Sequence, residues 1–203
     1  MRARMRGATA KRLLGVVAAA GLLIAGHATV SSASSTPGLD KLRAATDKYH
    51  NLSVATHHGY AILKDLNGIA CIADDQPPMD HTNMTAAMKM QMQMGSGAMG
   101  IHYANGELVG NLIERIRKPE ALLYAPDKRG NLHLAGVEYV VIKAAWDASH
   151  SSPPKLFGHQ FNFTDAGNRF GLPPFYSLHV WVWKDNPAGM FAMFNPDVHC
   201  PAA

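Results

Sequence analysis

The sequence predicts an α+β domain in which an N-terminal helix packs on a curved antiparallel sheet or small β-barrel. Three observations lead there: helical periodicity is confined to one early stretch, short β-rich runs fill the rest of the chain, and turn-forming residues separate those runs.

The helix is predicted over 38 to 57. Thr36 and Pro37 read as an N-cap followed by proline at the first helical position, and Gly59 supplies the stop. Leu39, Leu42, Ala45, Tyr49 and Leu52 recur at helical spacing, while Asp40, Lys41, Arg43, Asp47 and Lys48 fall largely elsewhere. His50, His57 and His58 lie at its polar end and read as solvated surface histidines. Strands are predicted at about 60 to 64, 69 to 73, 99 to 104, 121 to 125, 132 to 143, 159 to 163 and 176 to 184. Asn67-Gly68, Asn105-Gly106, Arg129-Gly130 and two Pro-Pro pairs punctuate them. A short helix over Glu107 to Ile113 interrupts the series.

Residues 1 to 28 have the pattern of a cleavable secretory signal peptide. Arg2, Arg4, Arg6, Lys11 and Arg12 precede an apolar stretch from Leu13 to Ala25, which is shorter than the roughly 20 residues a membrane-spanning helix needs. Gly26 and Ala28, or Ser31 and Ala33, provide the small residues a signal peptidase reads. Residues 29 to 37 then form a linker and 38 to 203 a single domain. The leader holds five of the 19 Lys and Arg and none of the 15 acids, leaving 14 bases against 15 acids in the mature chain. That balance leaves no basic footprint for nucleic acid. The mature protein is expected in the periplasm or outside the cell, without stable membrane insertion.

Cys71 and Cys200 are the two cysteines, and in an oxidising compartment they are expected to form one structural disulfide. Closing so long a loop is worth roughly 4 to 5 kcal/mol on the chain-entropy account. Their separation argues against thiol redox catalysis.

Three predicted strands each carry a ligand-type side chain in an apolar context: His102, Glu138 and His179. By strand alternation Glu138 shares a face with Leu132, Leu134, Val140 and Ile142, so that face should point inward. His179 shares its face with Ser177, Trp181 and Trp183, and both faces of its strand are apolar enough to be covered. Two imidazoles and a carboxylate meeting inside the sheet would make a three-ligand site for a divalent transition metal, Zn, Fe, Mn or Cu, with positions open to water or substrate. A hydrogen-bonded Glu-His pair in a β core explains the same residues without a metal. His133, His159 and His199 stand in reserve, His133 being predicted on the opposite face from Glu138.

A second candidate is the methionine-rich segment 79 to 99, where Met84, Met88, Met90, Met92 and Met94 accompany His81 around a possible short helix at Met84 to Met92. Thioethers are soft donors suited to Cu(I), which makes copper capture, or closure over a small apolar ligand, the alternative non-enzymatic role. The chain lacks the Gly-x-Ser-x-Gly elbow of serine hydrolases and the glycine-rich loops that cradle phosphates.

Several blocks in order carry a resemblance: Gly97 to Tyr103, Arg117 to Tyr124, Leu134 to Val141, Leu156 to Gly158, Leu178 to Trp183, and Asn195 to Cys200. Across roughly Tyr49 to Cys200 the chain resembles a family of small secreted bacterial proteins of unassigned function. That resemblance implies export and one compact domain. It implies no reaction.

Overall fold

A computed structural model of the chain describes residues 38–74, 97–109 and 116–201. The predicted leader, the linker and the methionine-rich segment from Met79 to Met94 fall outside the described residues, as does the larger part of the helix predicted at Glu107 to Ile113. Glu107 to Val109 form a turn.

The described chain opens with α1 (Leu39–Thr46), a 3-10 turn (Asp47–His50) and α2 (Leu52–His57). The single continuous helix that periodicity predicts is thus divided. The break falls at Asn51, whose backbone is extended and whose side chain accepts the Ser53 N–H at 3.0 Å, capping the second helix. Leu39, Leu42 and Tyr49 are buried as their spacing predicts. Thr46 is buried too, its hydroxyl bonding back to the Leu42 carbonyl and accepting the Trp183 indole N–H. Gly59 ends α2 at φ 85°. His50, His57 and His58 are exposed.

The sheet is built from β1 (Ala61–Ile62), β2 (Cys71–Ala73), β3 (Ala98–Ala104), β4 (Ala121–Pro126), β5 (Leu132–Ile142), β8 (Asn162–Thr164) and β9 (Phe175–Val180). A helical turn, α3 (Lys143–Asp147), follows β5, and β6 (Lys155–Leu156) pairs with β7 (His159–Gln160) as a separate ribbon. The strand order is β1-β3-β4-β5-β9-β8, all antiparallel, with β2 also on β3. The order ends on β1 and on β8, so the α+β antiparallel class holds and the sheet is open. The barrel alternative is thereby corrected. Closure would need those two strands to pair, and each is only two or three residues long.

One face of the sheet belongs to the main core, where Leu122, Tyr124, Leu134, Val137, Tyr139, Leu178 and Val180 cluster with Leu39, Leu42, Tyr49 and Trp146. The other face carries a smaller cluster of Ala98, Leu123, Ala125, Ala135, Trp181 and Val198. The Cys71–Cys200 disulfide forms, with Cα atoms 5.6 Å apart, and ties the C-terminal segment to β2 beside this cluster. Among the described residues no helix is long and apolar enough to cross a membrane.

A β-bulge decides which residues share a face. Tyr124 pairs with Leu134 but Leu123 pairs with Gly136, so β5 holds one extra residue there. Alternation reverses across it, and Leu134 lies with Val137 in the main core. Glu138 therefore does not share a face with Leu132 and Leu134 as simple alternation predicts; it faces the other way, with Gly136 and Val140. The bulge likewise returns His133 to the face of Glu138, but at the far end of the strand, exposed and beside Asp127. Gly136 is required at this point. A Cβ there would lie 2.6 Å from the Val180 carbonyl oxygen. Strand pairing of β9 stops at Val180 for a related reason: Trp183 and Lys184 donate their N–H groups to the Ala135 carbonyl, which turns the chain around the bulge before the predicted strand end at 184.

Candidate metal centre

Register brings the three candidate ligands together. Glu138 stands opposite Ala121 on β4 and opposite His179 on β9. Ala121 in turn faces Ala104 on β3, and His102 lies two residues before Ala104 on the same side. His102 and Glu138 sit on strands that are not neighbours, with β4 between them. The small side chain of Ala121 lets the imidazole and the carboxylate reach over it.

The three side chains are buried, with 2%, 8% and 1% of their surface exposed for His102, Glu138 and His179. His102 Nε2 lies 3.4 Å from His179 Nε2 and 3.5 Å from Glu138 Oε2, while His179 Nε2 lies 3.8 Å from Glu138 Oε1. One donor atom from each residue falls within 4.8 Å of the others, so the group could hold a metal ion. Tetrahedral coordination with bonds of about 2.05 Å places neighbouring donors about 3.3 Å apart. The observed separations lie at or slightly above that value, and the nitrogen–nitrogen distance is closest.

Electrostatics favours the donor form of both rings. Burial pushes the His179 imidazole down to about 3 and that of His102 down to about 4, the nearby Glu138 carboxylate pulling His102 back only in part. Both rings are neutral at pH 7, so their contacts with Glu138 are not ion pairs. Burial raises the Glu138 carboxyl above its ordinary value, against His102 and the Ser177 hydroxyl, which favour the ionised form. A neutral ring presents its Nε2 lone pair only when the proton is on Nδ1. Among the described residues, His102 Nδ1 and His179 Nδ1 are buried without a hydrogen-bond partner, at a cost of about 1 to 3 kcal/mol each. The donor set, two imidazoles and a carboxylate, suits divalent transition-metal ions such as Zn, Fe, Mn or Cu. The residues fit such an ion. It would supply Lewis acidity toward an oxygen or nitrogen atom brought to its open side.

That side opens on a cavity of about 490 Å³. Met99, Val140, Phe170, Leu172 and Phe175 contribute apolar wall, and Ser177 stands beside the ligands. Phe170 meets the His102 ring edge-on at 6.3 Å between centroids. The segment that carries Phe170 is pinned by Arg169, whose guanidinium pairs with Asp65 at 3.0 Å, and by the Arg169 carbonyl, which accepts the Leu66 N–H at 2.9 Å.

The reserve histidines stay apart from this group. His133 is beside Asp127, His159 stacks on Phe191 with centroids 3.8 Å apart, and His199 is exposed. The alternative copper ligands Met84, Met88, Met90, Met92 and Met94 lie outside the described residues; Met99, at the end of that segment, lines the cavity. Sequence reasoning missed the roles of Ser177, Arg169 and Phe170. Ser177 had a usable signal, since it sits two residues before His179 on one strand face. Arg169 and Phe170 lie in an irregular segment with no period to read.

Comparison with protein-family models, curated proteins and solved structures finds no match for this chain. The functional reading therefore rests on the geometry of the site.

Proposed function

We propose that this is an exported metalloprotein that holds one divalent transition metal ion through His102, Glu138 and His179. The observation that carries the reading is the meeting of two imidazole nitrogens and a carboxylate, all buried, at separations near those of a metal's ligands. A buried carboxylate beside two neutral rings either takes up a proton or is offset by a cation, and a metal ion would supply that cation while using both rings as donors. Three protein ligands leave further positions for water or a small molecule from the cavity, the arrangement of a working site rather than a closed structural one. Within that site Ser177 orients the Glu138 carboxylate through its hydroxyl, and the apolar walls limit access of water.

Export is supported by the signal-peptide pattern of residues 1 to 28 and by the disulfide, which needs an oxidising compartment to persist. Sequencing the N-terminus of protein recovered outside the cytoplasm tests the cleavage site after Ala28.

Elemental analysis of untagged protein tests the metal. Wild type should carry close to one divalent ion per chain, and His102→Ala and His179→Ala should each carry less than a tenth of that. Deletion of Met84 to Met94 supplies the opposing arm. A copper-capture protein would lose Cu(I) on that deletion and keep it in the histidine variants, and this result would overturn the present reading.

A further inference from the structure

The cavity beside the metal ligands has a chemical character of its own. Its wall is mostly aliphatic and aromatic, from Val140 on the sheet to Phe170, Leu172 and Phe175 opposite, with Met99 and Met193 completing the thioether part. Among the described residues, two charged side chains outside the ligand group reach it, and both have work elsewhere. Arg169 is paired with Asp65, a carboxylate whose side chain is almost wholly buried and which also accepts the N–H groups of Asn67 and Ile69. Glu120 accepts the Val140 N–H through Oε2 at 3.1 Å. Recruiting Arg169 to an anionic ligand would strand buried Asp65, and turning Glu120 toward a cationic one would give up its bond to the Val140 N–H, so neither charge favours a charged ligand over a neutral one. A volume of about 490 Å³ suits a molecule on the order of 20 non-hydrogen atoms.

We propose that the cavity receives a neutral, largely apolar small molecule whose single oxygen or nitrogen donor is directed at the His102, Glu138 and His179 group. The apolar body supplies affinity by burial, and the donor fixes orientation. This rests on the metal reading for what the donor meets, whereas the selection of a neutral apolar body follows from the cavity wall alone.

The test uses zinc-loaded and cobalt-loaded protein with three probes: imidazole, 4-phenylimidazole and phenylphosphonate. Calorimetry reads affinity, the visible cobalt spectrum reads ligation, and elemental analysis reads metal content. The expected result is one site per chain for 4-phenylimidazole with a changed cobalt spectrum, at least tenfold tighter than imidazole, because only the former buries a phenyl group. Phenylphosphonate should bind at least tenfold more weakly than 4-phenylimidazole. Leu172→Trp, which fills the cavity from a half-buried loop position, should keep the metal and remove that preference; Met193→Trp repeats the test from another segment should the first variant not fold. Equal affinities for imidazole and 4-phenylimidazole on fully loaded protein, or tighter binding of phenylphosphonate, would overturn the cavity proposal while leaving the metal centre standing. Protein that takes up no metal would instead defeat the metal reading, and with it the donor half of this proposal.

Discussion

Replacing Glu138 by Gln should raise the melting temperature of the metal-free protein and nearly abolish the further rise that metal produces in wild type. Without metal, wild type buries a carboxylate whose close partners are two neutral imidazoles, and burial already drives that carboxyl toward its protonated form. The amide carries no charge and can donate to an imidazole nitrogen across the same short distances, so relief of the buried charge is worth about 2 kcal/mol. For a domain of this size each kcal/mol moves the midpoint by about 2 to 4 °C, and the metal-free variant should melt roughly 4 to 8 °C above wild type at pH 7.5. With free metal at a hundred times the wild-type dissociation constant, wild type gains about 2.7 kcal/mol, a rise of roughly 5 to 11 °C. Loss of the charged ligand weakens the variant's affinity by about a hundredfold or more, so at the same metal concentration it gains about 0.4 kcal/mol and rises by only about 1 °C. Paired scanning calorimetry in chelator and in buffered zinc measures all four midpoints. A variant that keeps the full metal-induced rise would show that Glu138 is not a ligand. A metal-free variant that loses several kcal/mol would show that the carboxylate is a structural member of a hydrogen-bonded core pair.

Other expectations bear on the same architecture. Gly136→Ala should destabilise the protein by about 1 to 3 kcal/mol and lower metal content, because its Cβ would push against the Val180 carbonyl, one residue from His179, and thermal melts with elemental analysis check both. Cys71→Ser or Cys200→Ser should cost about 2 to 5 kcal/mol in denaturant unfolding, matched by reduction of the wild type and leaving the metal ligands in place. The pH dependence follows from the two buried rings, whose folded values lie below the ordinary 6.5. The unfolded chain binds their protons first, so their contribution to metal-free stability is complete above pH 6.5 and is lost as pH falls from 6.5 through about 4 for His102 and about 3 for His179. Glu138 acts in the opposite sense: its raised value favours the protonated folded form, a penalty that grows as pH rises above the ordinary 4.5. Unfolding of His179→Ala and Glu138→Gln across about pH 4 to 8 separates the two. An acid limb as steep in His179→Ala as in wild type would count against a buried neutral His179.

The contributions of the methionine-rich segment and the apolar cavity can be separated in the same way, since Met99 alone joins the two among the described residues. Met99→Ala should enlarge the cavity and weaken binding of 4-phenylimidazole a few-fold while leaving metal content unchanged.

Local chemistry made much of this protein legible from its residues. Alternation and turn pairs located most of the strands, since residue spacing and the backbone needs of Gly68 and Gly130 act within a few positions. Unusual polar residues in apolar runs likewise singled out His102, Glu138 and His179. Local patterns failed where the chain's path depends on a partner. The helix break at Asn51, the bulge beside Gly136 and the early end of β9 each answer to a cap, a neighbouring carbonyl or a strand from elsewhere. Gly136 within a strand did hint at the bulge, but not at which face each residue would take. The tertiary structure alone decided that three side chains 36 and 41 residues apart in sequence meet over Ala121, because cross-strand register is set by pairing between distant segments and no local period encodes it.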